Sequence, residues 1–159
     1  MKTIKLTKGQ IAQVSDEWYE ELNKYNWYAH FDPPSKTYYA LRRSKRLFGK
    51  SKIIPMHRVV ANAPDDMKVD HIDHNTLNNQ SDNLRICTVA QNQYNRKVNK
   101  NNSSGYKGVK PHGRGYMARI RVDGKEIYLG TWDTPEQAAR VYDEAAKKYF
   151  GEFANLNFL

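Results

Sequence analysis

Residues 95–104 (NRKVNKNNSS) hold a single apolar side chain, Val98, and this stretch constrains the fold more than any other feature of the chain. A segment with so little apolar surface contributes nothing to a core and is typical of a mobile linker, although its asparagines and cations also suit a nucleic-acid backbone. A chain of 159 residues has room for one ordinary domain or for two to three small ones. The linker favours small domains, each with its own core.

The first segment, residues 1–55, consists of short runs that predict strands and one helix. TIKLT and IAQVS are typical of strands, and Ser15 followed by Asp16 and Glu17 predicts a helix start. NWYAHF and TYYALRR flank the two prolines of DPPSK, which predicts a β-hairpin. The apolar face of the helix is predicted to comprise Trp18, Leu22 and Tyr25. Most side chains of residues 1–41 are interpreted as structural.

The second segment, residues 56–96, has the predicted order strand, loop, strand, helix. VDHIDHN (residues 69–75) leads through a polar loop to the strand-like LRICT. Thr88 and Gln91 then form a capping box, so a helix is expected to begin at Thr88 and continue through VAQNQYNRK. This helix carries Asn92 in its first turns.

The third segment, residues 105–159, predicts three strands followed by a helix. The strands are YKGVK, YMARIRV and KEIYLGTW, and the turns between them are PHGRG and the hairpin signal DG. Thr134 to Gln137 combine a capping box with a proline at the first helical position, and Phe150-Gly151 ends the helix. The helix is predicted to face the sheet with Ala138, Val141, Tyr142, Ala145 and Tyr149.

The formal charge of +9 indicates a polyanionic partner, either nucleic acid or an acidic membrane face. No apolar run approaches the roughly 18–20 residues of a membrane span, and no secretory signal is visible. A single cysteine, Cys87, fits the reducing cytoplasm and excludes a multi-cysteine zinc site. The expected setting is therefore the cytoplasm, with no membrane partner.

An acidic island separates two basic stretches of the chain. Residues 42–58 hold seven cations and no acid, and residues 95–125 hold nine cations and one acid. The acids between them are Asp65, Asp66, Asp70, Asp73 and Asp82. Carboxylates in a polyanion-binding protein can hold metal cations, or they can simply balance local charge; both interpretations stay open.

Phosphodiester hydrolysis needs an activated water and a cation that neutralises the phosphate, tasks suited to an imidazole and to a hard ion with oxygen ligands. HRVVA, VDHIDHNTLNNQSDNL and AQNQYN together resemble the HNH endonuclease motif of phage and intron homing enzymes. The resemblance implies a ββα-metal core in which His71 is the general base and Asp70 and Asn92 hold Mg²⁺ (or Mn²⁺). It also implies a bracing role for Asn83 and a less defined role for His57.

Two features depart from the expected pattern or complicate it. The family usually has glycine at the position of His74, which can be a turn residue, an additional phosphate contact or a further ligand. Adjacent residues of a regular strand face opposite ways, so Asp70 and His71 reach one site only where the strand twists or ends. The competing structural interpretation is a small zinc-stapled fold that uses His71, His74 and Cys87.

SGYKGVK, YMARIRVDGKEIYLGTW and AARVYDEAA resemble the DNA-binding domain of plant ethylene-response factors, the APETALA type. The resemblance implies a three-stranded sheet that enters the major groove, braced by one helix. Arg119 and Arg121 alternate with Ile120 and should share an exposed face with Lys107, Lys110 and Tyr128. Lysines at 107 and 110 depart from the plant pattern, so the plant target sequence does not transfer, and a merely solvated basic face remains the alternative.

The sequence therefore predicts an α+β chain that acts as a metal-dependent endonuclease on double-stranded DNA, as a monomer or a homodimer. The predicted segments are a β-rich DNA-contacting part (1–55), the nuclease motif (56–96), a basic linker (97–104) and the DNA-binding domain (105–159). The side chains predicted to contact DNA are Arg42, Arg43, Arg58, Arg96, Lys97, Lys100, Lys107, Lys110, Arg119, Arg121 and Tyr128. A homing role rests on analogy alone. The alternatives are a non-catalytic DNA-binding regulator, and an RNA-binding protein that leaves the Asp-His…Asn spacing unexplained.

Overall fold

The computed structural model describes residues 1–46, 48–99 and 101–158, and the chain divides into two compact units, Met1–Thr88 and Val89–Leu159. Both units combine short helices with small sheets, which confirms the predicted α+β class. The division falls within the segment 56–96 that the sequence analysis treats as one motif, and the predicted domain boundaries stay a prediction. Within the described residues, no helix is both long and apolar enough to cross a membrane.

Within its described residues, the first unit contains eight strands and two α-helices. They are β1 (Lys2–Lys5), β2 (Ile11–Val14), α1 (Asp16–Leu22), β3 (Tyr28–Asp32), β4 (Thr37–Arg43), β5 (Ile53–Pro55), α2 (Met56–Val60), β6 (Lys68–His71), β7 (Asn78–Asn79) and β8 (Leu84–Cys87). The sheets have the orders β1-β2-β7, β3-β4-β5 and β6-β8, and every pairing is antiparallel except β2 with β7. A 3₁₀ turn, Ser81–Asn83, precedes β8.

The core of the first unit joins the N-terminal strands to α1 and α2. Its buried side chains are Ile4, Ala12, Val14, Leu22, Trp27, Ala40, Met56 and Val60. The indole of Trp27 donates to the carbonyl of Leu22 at 2.8 Å, which satisfies the polar atom of the buried ring. The hairpin predicted around DPPSK is confirmed as β3 and β4. The prediction for Tyr25 is wrong, because α1 ends at Leu22 and the tyrosine lies exposed beyond it.

The second unit is a three-stranded antiparallel sheet packed on one long helix. Its elements are α3 (Val89–Tyr94), β9 (Val109–His112), β10 (Gly115–Val122), β11 (Lys125–Trp132), α4 (Pro135–Phe150) and a 3₁₀ turn, Gly151–Phe153. The capping box at Thr134 is confirmed, with Gln137 as its partner. Gly108 has φ +75°, and a Cβ there would lie 1.9 Å from the ring of Tyr142, so the strand approaches the helix only because this residue is glycine.

The buried face of α4 differs in part from the predicted one. Ala138 and Tyr142 are buried as expected, but Tyr149 is exposed and Phe150 is buried in its place. The full buried set is Ala138, Ala139, Tyr142, Asp143, Ala146 and Phe150. Ala139 and Asp143 are buried as well, so the buried face is rotated relative to the predicted one from the first turn of the helix onwards.

Helix α3 ends at Tyr94, three residues before the predicted end at Lys97. The ring of Tyr94 stacks on Phe150, with centroids 3.8 Å apart and an interplanar angle of 11°. The amine of Lys107 donates to the carbonyl of Tyr94, which the helix end leaves without a helical partner, and to that of Arg96 just beyond it. These contacts anchor α3 within the C-terminal unit.

Candidate active site

The β6–β8 hairpin places two predicted site residues side by side. Asp70 pairs with Arg85 across the hairpin and His71 pairs with Leu84. Asp70 and His71 are each only 6% exposed. Strand β6 ends at His71, after which the amide of Ile72 donates to the carbonyl of Asn83. The strand therefore ends at the residue where the sequence analysis required a change of direction.

The carboxylate of Asp70 forms a buried ion pair with Arg85. Nε and Nη2 of Arg85 lie 2.9 and 2.7 Å from Oδ2 of Asp70, and the two side chains are 13% and 8% exposed. Two charge-assisted hydrogen bonds onto one oxygen fix the orientation of the carboxylate. Sequence reasoning missed Arg85, although alternation along LRIC leaves it as the single charged side chain of that strand.

The imidazole of His71 lies in a cluster of three rings. The His57 ring from α2 lies 5.2 Å from it, and the Tyr39 ring from β4 lies 6.4 Å from it. Burial lowers the pKa of His71, while a hydrogen bond with Asn79 and the charges of Asp73 and Asp70 act in the opposite direction. The lowered pKa favours the neutral imidazole, which is the form that can accept a proton.

The pKa of the second histidine of the cluster, His57, is strongly lowered. Burial, followed by the charges of His71 and Arg58, lowers the pKa of His57 to about 3. Its ring also meets Tyr39 edge-on at 5.8 Å. His57 therefore stays neutral at physiological pH and contributes packing and dipole rather than charge. Sequence reasoning missed Tyr39, which carries no motif signal.

The stability of the protein should fall in acid because of His57. The folded pKa of about 3 lies below the unfolded value of 6.5, so the unfolded state binds the proton first as the pH falls. The contribution of His57 to the free energy of unfolding is therefore constant above about pH 6.5. It decreases as the pH falls towards 3, by about 2 kcal/mol between pH 7 and 5. Urea denaturation at the two pH values measures this loss. In His57→Gln the free energy of unfolding should decrease less between pH 7 and 5, because only other groups such as His71 still contribute to the decrease. The same pH dependence in the variant and the wild type would show that His57 is not its cause.

The loop between β6 and β8 is held together by Asn83 and Asp73. Asn83 accepts from the amide of Asp73 at 3.0 Å and donates to the Asp73 carboxylate at 2.9 Å and to the carbonyl of Asn78 at 2.8 Å. Asp73 also accepts from the amide of Asn75 and from the side chain of Asn78. These contacts are those that the predicted bracing role of Asn83 requires. Sequence reasoning missed Asp73 and Asn78 as members of the network.

His74 adopts the left-handed backbone conformation, with φ +63°. Its amide donates to the carbonyl of His71 at 3.0 Å and closes a turn. Glycine is favoured in this conformation, which gives a physical reason for the glycine usual at this position in the resembled family. The geometry supports the turn interpretation of His74 and leaves its additional roles as predictions.

The residues of the site fit a hard cation better than zinc. Over the described part of the chain, no group of three or more His, Cys, Asp or Glu side chains could hold a metal ion. Cys87 is fully buried in β8 opposite Lys68, which argues against the zinc-stapled alternative. Mg²⁺ commonly uses one or two protein oxygens and completes its shell with water and substrate phosphates. Asp70 supplies such an oxygen in the first unit, Asn92 lies partly buried on α3 in the second, and their joint role stays a prediction.

The predicted DNA contacts of the first unit fall into two groups. Arg42 and Arg43 lie at the end of β4, where the Arg42 guanidinium stacks over the ring of Tyr25 at 4.0 Å. Arg58 instead donates to the carbonyls of Met67, Ala63 and Pro64, so it closes the turn after α2. This structural role was not anticipated from the sequence.

The predicted contacts of the second unit mostly share one sheet face. Arg119 pairs with Tyr128 on β11, Lys110 pairs with Met117, and Arg121 follows two residues after Arg119. Arg119 also forms an exposed salt bridge with Glu126 at 2.7 Å. Lys107 does not join this face, because its amine is bound to the carbonyls after α3. Arg96 and Lys97 are exposed, whereas Lys100 lies outside the described residues.

Comparison with known proteins identifies the family. A sequence model of a family described as HNH endonuclease matches residues 56–94. The chain is 36% identical over 151 residues to HNH endonuclease L560 of Acanthamoeba polyphaga mimivirus, a match that covers 94% of this chain and 76% of that protein. The chain belongs to the HNH endonuclease family. The prediction that it is an enzyme is thereby confirmed.

Two further relatives match parts of this HNH endonuclease. Protein 3.8 of Escherichia phage T7 is 34% identical over 93 residues, which cover 57% of this chain and 76% of that protein. Dehydration-responsive element-binding protein 2D of Arabidopsis thaliana is 45% identical over 60 residues, which cover 36% of this chain and 29% of that protein. The C-terminal region thus matches the plant DNA-binding domain, as predicted.

Proposed function

We propose that this HNH endonuclease hydrolyses phosphodiester bonds of double-stranded DNA with one Mg²⁺ (or Mn²⁺) ion, at a site selected by its C-terminal domain. The observation that carries the proposal is the buried Asp70–His71 pair at the end of β6, inside the segment that matches the family. A carboxylate and a neutral imidazole in adjacent positions supply a metal ligand and a base to one reacting phosphate.

His71 acts as the general base in this proposal. Its imidazole takes the proton from the attacking water, and burial favours the neutral form needed to do so. The rings of His57 and Tyr39 pack edge-on against it and restrict its rotation. Asn83 and Asp73 hold the following loop, which fixes the end of the strand that carries His71.

Asp70 and Asn92 hold the ion in this proposal. A bound divalent cation supplies charge neutralisation at the phosphate and stabilises the leaving oxygen. Arg85 fixes the carboxylate of Asp70 through two hydrogen bonds and so orients it within the hairpin. The amide oxygen of Asn92, in the second half of α3, provides a second hard ligand.

The exposed face of the C-terminal sheet selects the cleavage site in this proposal. Arg121 offers the bidentate donors that pair with guanine, Lys110 suits a phosphate, and Tyr128 is largely exposed on the same face. One of the matched plant proteins is named for binding a response element, which supports a DNA-reading role for this domain. The Arg119–Glu126 salt bridge presents a guanidinium already oriented by a neighbouring carboxylate.

The proposed origin and cellular compartment of the enzyme draw on one of its relatives. The match to a protein of Escherichia phage T7 supports a phage enzyme that works in the cytoplasm of a bacterial host, and an intron homing role is proposed by analogy. One site per chain suits nicking by a monomer, and a homodimer would cut both strands.

Incubation of the purified protein with supercoiled plasmid tests the proposal directly. Nicked or linear product is expected with Mg²⁺ or Mn²⁺ and is expected to disappear with EDTA. Asn92→Ala should abolish product or require much more metal, whereas Asp65→Ala, an exposed acid of the same segment, should cut normally. Cleavage that persists in EDTA would overturn the metal dependence, and intact supercoils under all conditions would overturn the endonuclease assignment on DNA.

Mapping of the cut positions tests site selection in the same experiment. The wild-type protein should cut at a few defined positions, and Arg121→Ala should spread or move them without lowering the total rate of cleavage on plasmid. An unchanged map for both Arg121→Ala and Lys110→Ala would contradict selection by this face.

A further inference from the structure

The basic arm, residues 42–46 and 48–52, extends from the end of β4 and returns into β5. Arg43 pairs with Ile53 at its base, and the amide and carbonyl of Lys52 bond to Ser44 at 2.9 Å each. The sequence of the arm contains no acid. Its cations are Arg42, Arg43, Lys45, Arg46, Lys50 and Lys52. An arm whose charged side chains are all positive is complementary to a polyanion.

An aromatic ring lies fully exposed near the tip of this arm. Phe48 has all of its surface accessible, and its φ of +50° is in the left-handed region that phenylalanine rarely adopts. Gly49 follows with φ +76°, so two successive residues hold the ring outward. A strained, solvated phenyl ring contributes nothing to the core of the unit, and its position between cations points to a role in binding.

The arm starts close to the catalytic residues. Strand β4 carries Tyr39, whose ring packs against His57 and His71, and continues through Arg42 and Arg43 into the arm. Phe48 follows Tyr39 by nine positions, which limits the distance between their Cα atoms to about 30 Å. At about 3.4 Å per base-pair step, this span corresponds to at most about nine base pairs.

We propose that the arm binds the DNA duplex beside the cleavage site and inserts Phe48 between two stacked base pairs. The inference rests on the proposed function, because it assumes that the first unit cuts DNA. The cations of the arm neutralise the phosphates on both sides, and the phenyl ring replaces one base-stacking contact. Apolar wedges of this kind unstack a step and bend the duplex, which would fix the scissile phosphate relative to His71.

The test uses the full-length protein and a duplex centred on a cut site mapped in the plasmid experiment. 2-Aminopurine is placed at successive steps, and Ca²⁺ replaces Mg²⁺ to keep the duplex intact. Wild-type protein should raise the fluorescence at one step within about nine base pairs of the cut. Phe48→Ala should remove this rise, and Phe48→Leu, which keeps an apolar wedge, should retain it.

Two controls separate the wedge from general binding. Lys50→Ala should weaken binding and reduce the salt dependence by about one phosphate contact, yet leave the fluorescence rise in place at saturating protein. Ile11→Ala removes an exposed apolar side chain of the same unit outside the arm and should leave affinity and fluorescence unchanged.

Cleavage rates complete the test. In Mg²⁺, Phe48→Ala should cut the intact duplex about tenfold more slowly, and a mismatch at the responding step, which lowers the cost of unstacking, should restore most of the rate. Wild-type protein that cuts the duplex while every 2-aminopurine signal stays unchanged would overturn the wedge alone. A duplex that is never cut in Mg²⁺ would overturn the proposed function, and this inference with it.

Discussion

His71→Ala is expected to slow DNA cleavage by about 10²- to 10⁴-fold, the contribution of a positioned general base. The imidazole is 6% exposed beside Asp70, and its lowered pKa favours the proton-accepting form. The neighbouring His57 is a poor substitute, because its pKa is about 3 and its affinity for a proton is correspondingly low. DNA binding should stay near the wild-type level, since the cations that meet phosphate are unchanged. Single-turnover cleavage and binding to the same duplex measure the two effects separately.

His30→Ala provides the matched control for this experiment. His30 is an exposed histidine of the same unit, on β3 opposite Tyr39, and its removal should leave cleavage unchanged. Wild-type cutting by His71→Ala in Mg²⁺ would show that the base has been assigned wrongly. Loss of binding together with cleavage would show instead that His71 supports the fold of the unit rather than the reaction.

Arg85→Met is expected to lower the free energy of unfolding by about 3–5 kcal/mol, because it leaves the buried carboxylate of Asp70 without its cation. The pair is 13% and 8% exposed, so water replaces little of the lost interaction. Cleavage should fall as well, since the orientation of Asp70 is no longer fixed. Urea denaturation followed by far-ultraviolet circular dichroism measures the loss of stability.

The exposed pair Arg119–Glu126 is a direct control for the effect of burial. Its nitrogen–oxygen distance is 2.7 Å, the same as in the Arg85–Asp70 pair, but its side chains are 41% and 48% exposed. Arg119→Met should therefore cost about 0–1 kcal/mol. The double variant Asp70→Leu with Arg85→Met should recover most of the lost stability while remaining inactive. Equal losses for Arg85→Met and Arg119→Met would refute the argument from burial.

The sequence predicted those features that depend on local chemistry. The capping box at Thr134 is a contact between residues three positions apart, so its residue types alone identify the start of α4. The strand-like run LRICT and the polar loop before it likewise predicted β8 and the loop that joins it to β6. The face of α4 was predicted only in part, because a charged residue, Asp143, is buried on it and accepts from the backbone amides of Asn157 and Phe158.

Local residue patterns did not predict the contacts that depend on how two strands pair or on which backbone carbonyls lie near a side chain. Arg85 meets Asp70 only because β6 and β8 pair at one particular offset. Arg58 and Lys107 look like surface cations in the sequence, yet Arg58 binds backbone carbonyls of the loop after α2, and Lys107 binds carbonyls at and just beyond the end of α3. A count of basic residues therefore overestimates the cations that remain for DNA.

The anchoring of α3 has a consequence for how such endonucleases can be recombined. The stack of Tyr94 on Phe150 ties this helix to a residue more than fifty positions downstream, and Lys107 binds the carbonyls of Tyr94 and Arg96 at its end. A chain truncated at the linker would retain every residue of the nuclease motif. It would lose Phe150, whose ring stacks on Tyr94 of the last helix of that motif. An exchange of DNA-binding domains between homologous enzymes should therefore use a junction near Val89, upstream of Asn92. The chimaera would then carry the Asn92 equivalent of the enzyme that donates the DNA-binding domain.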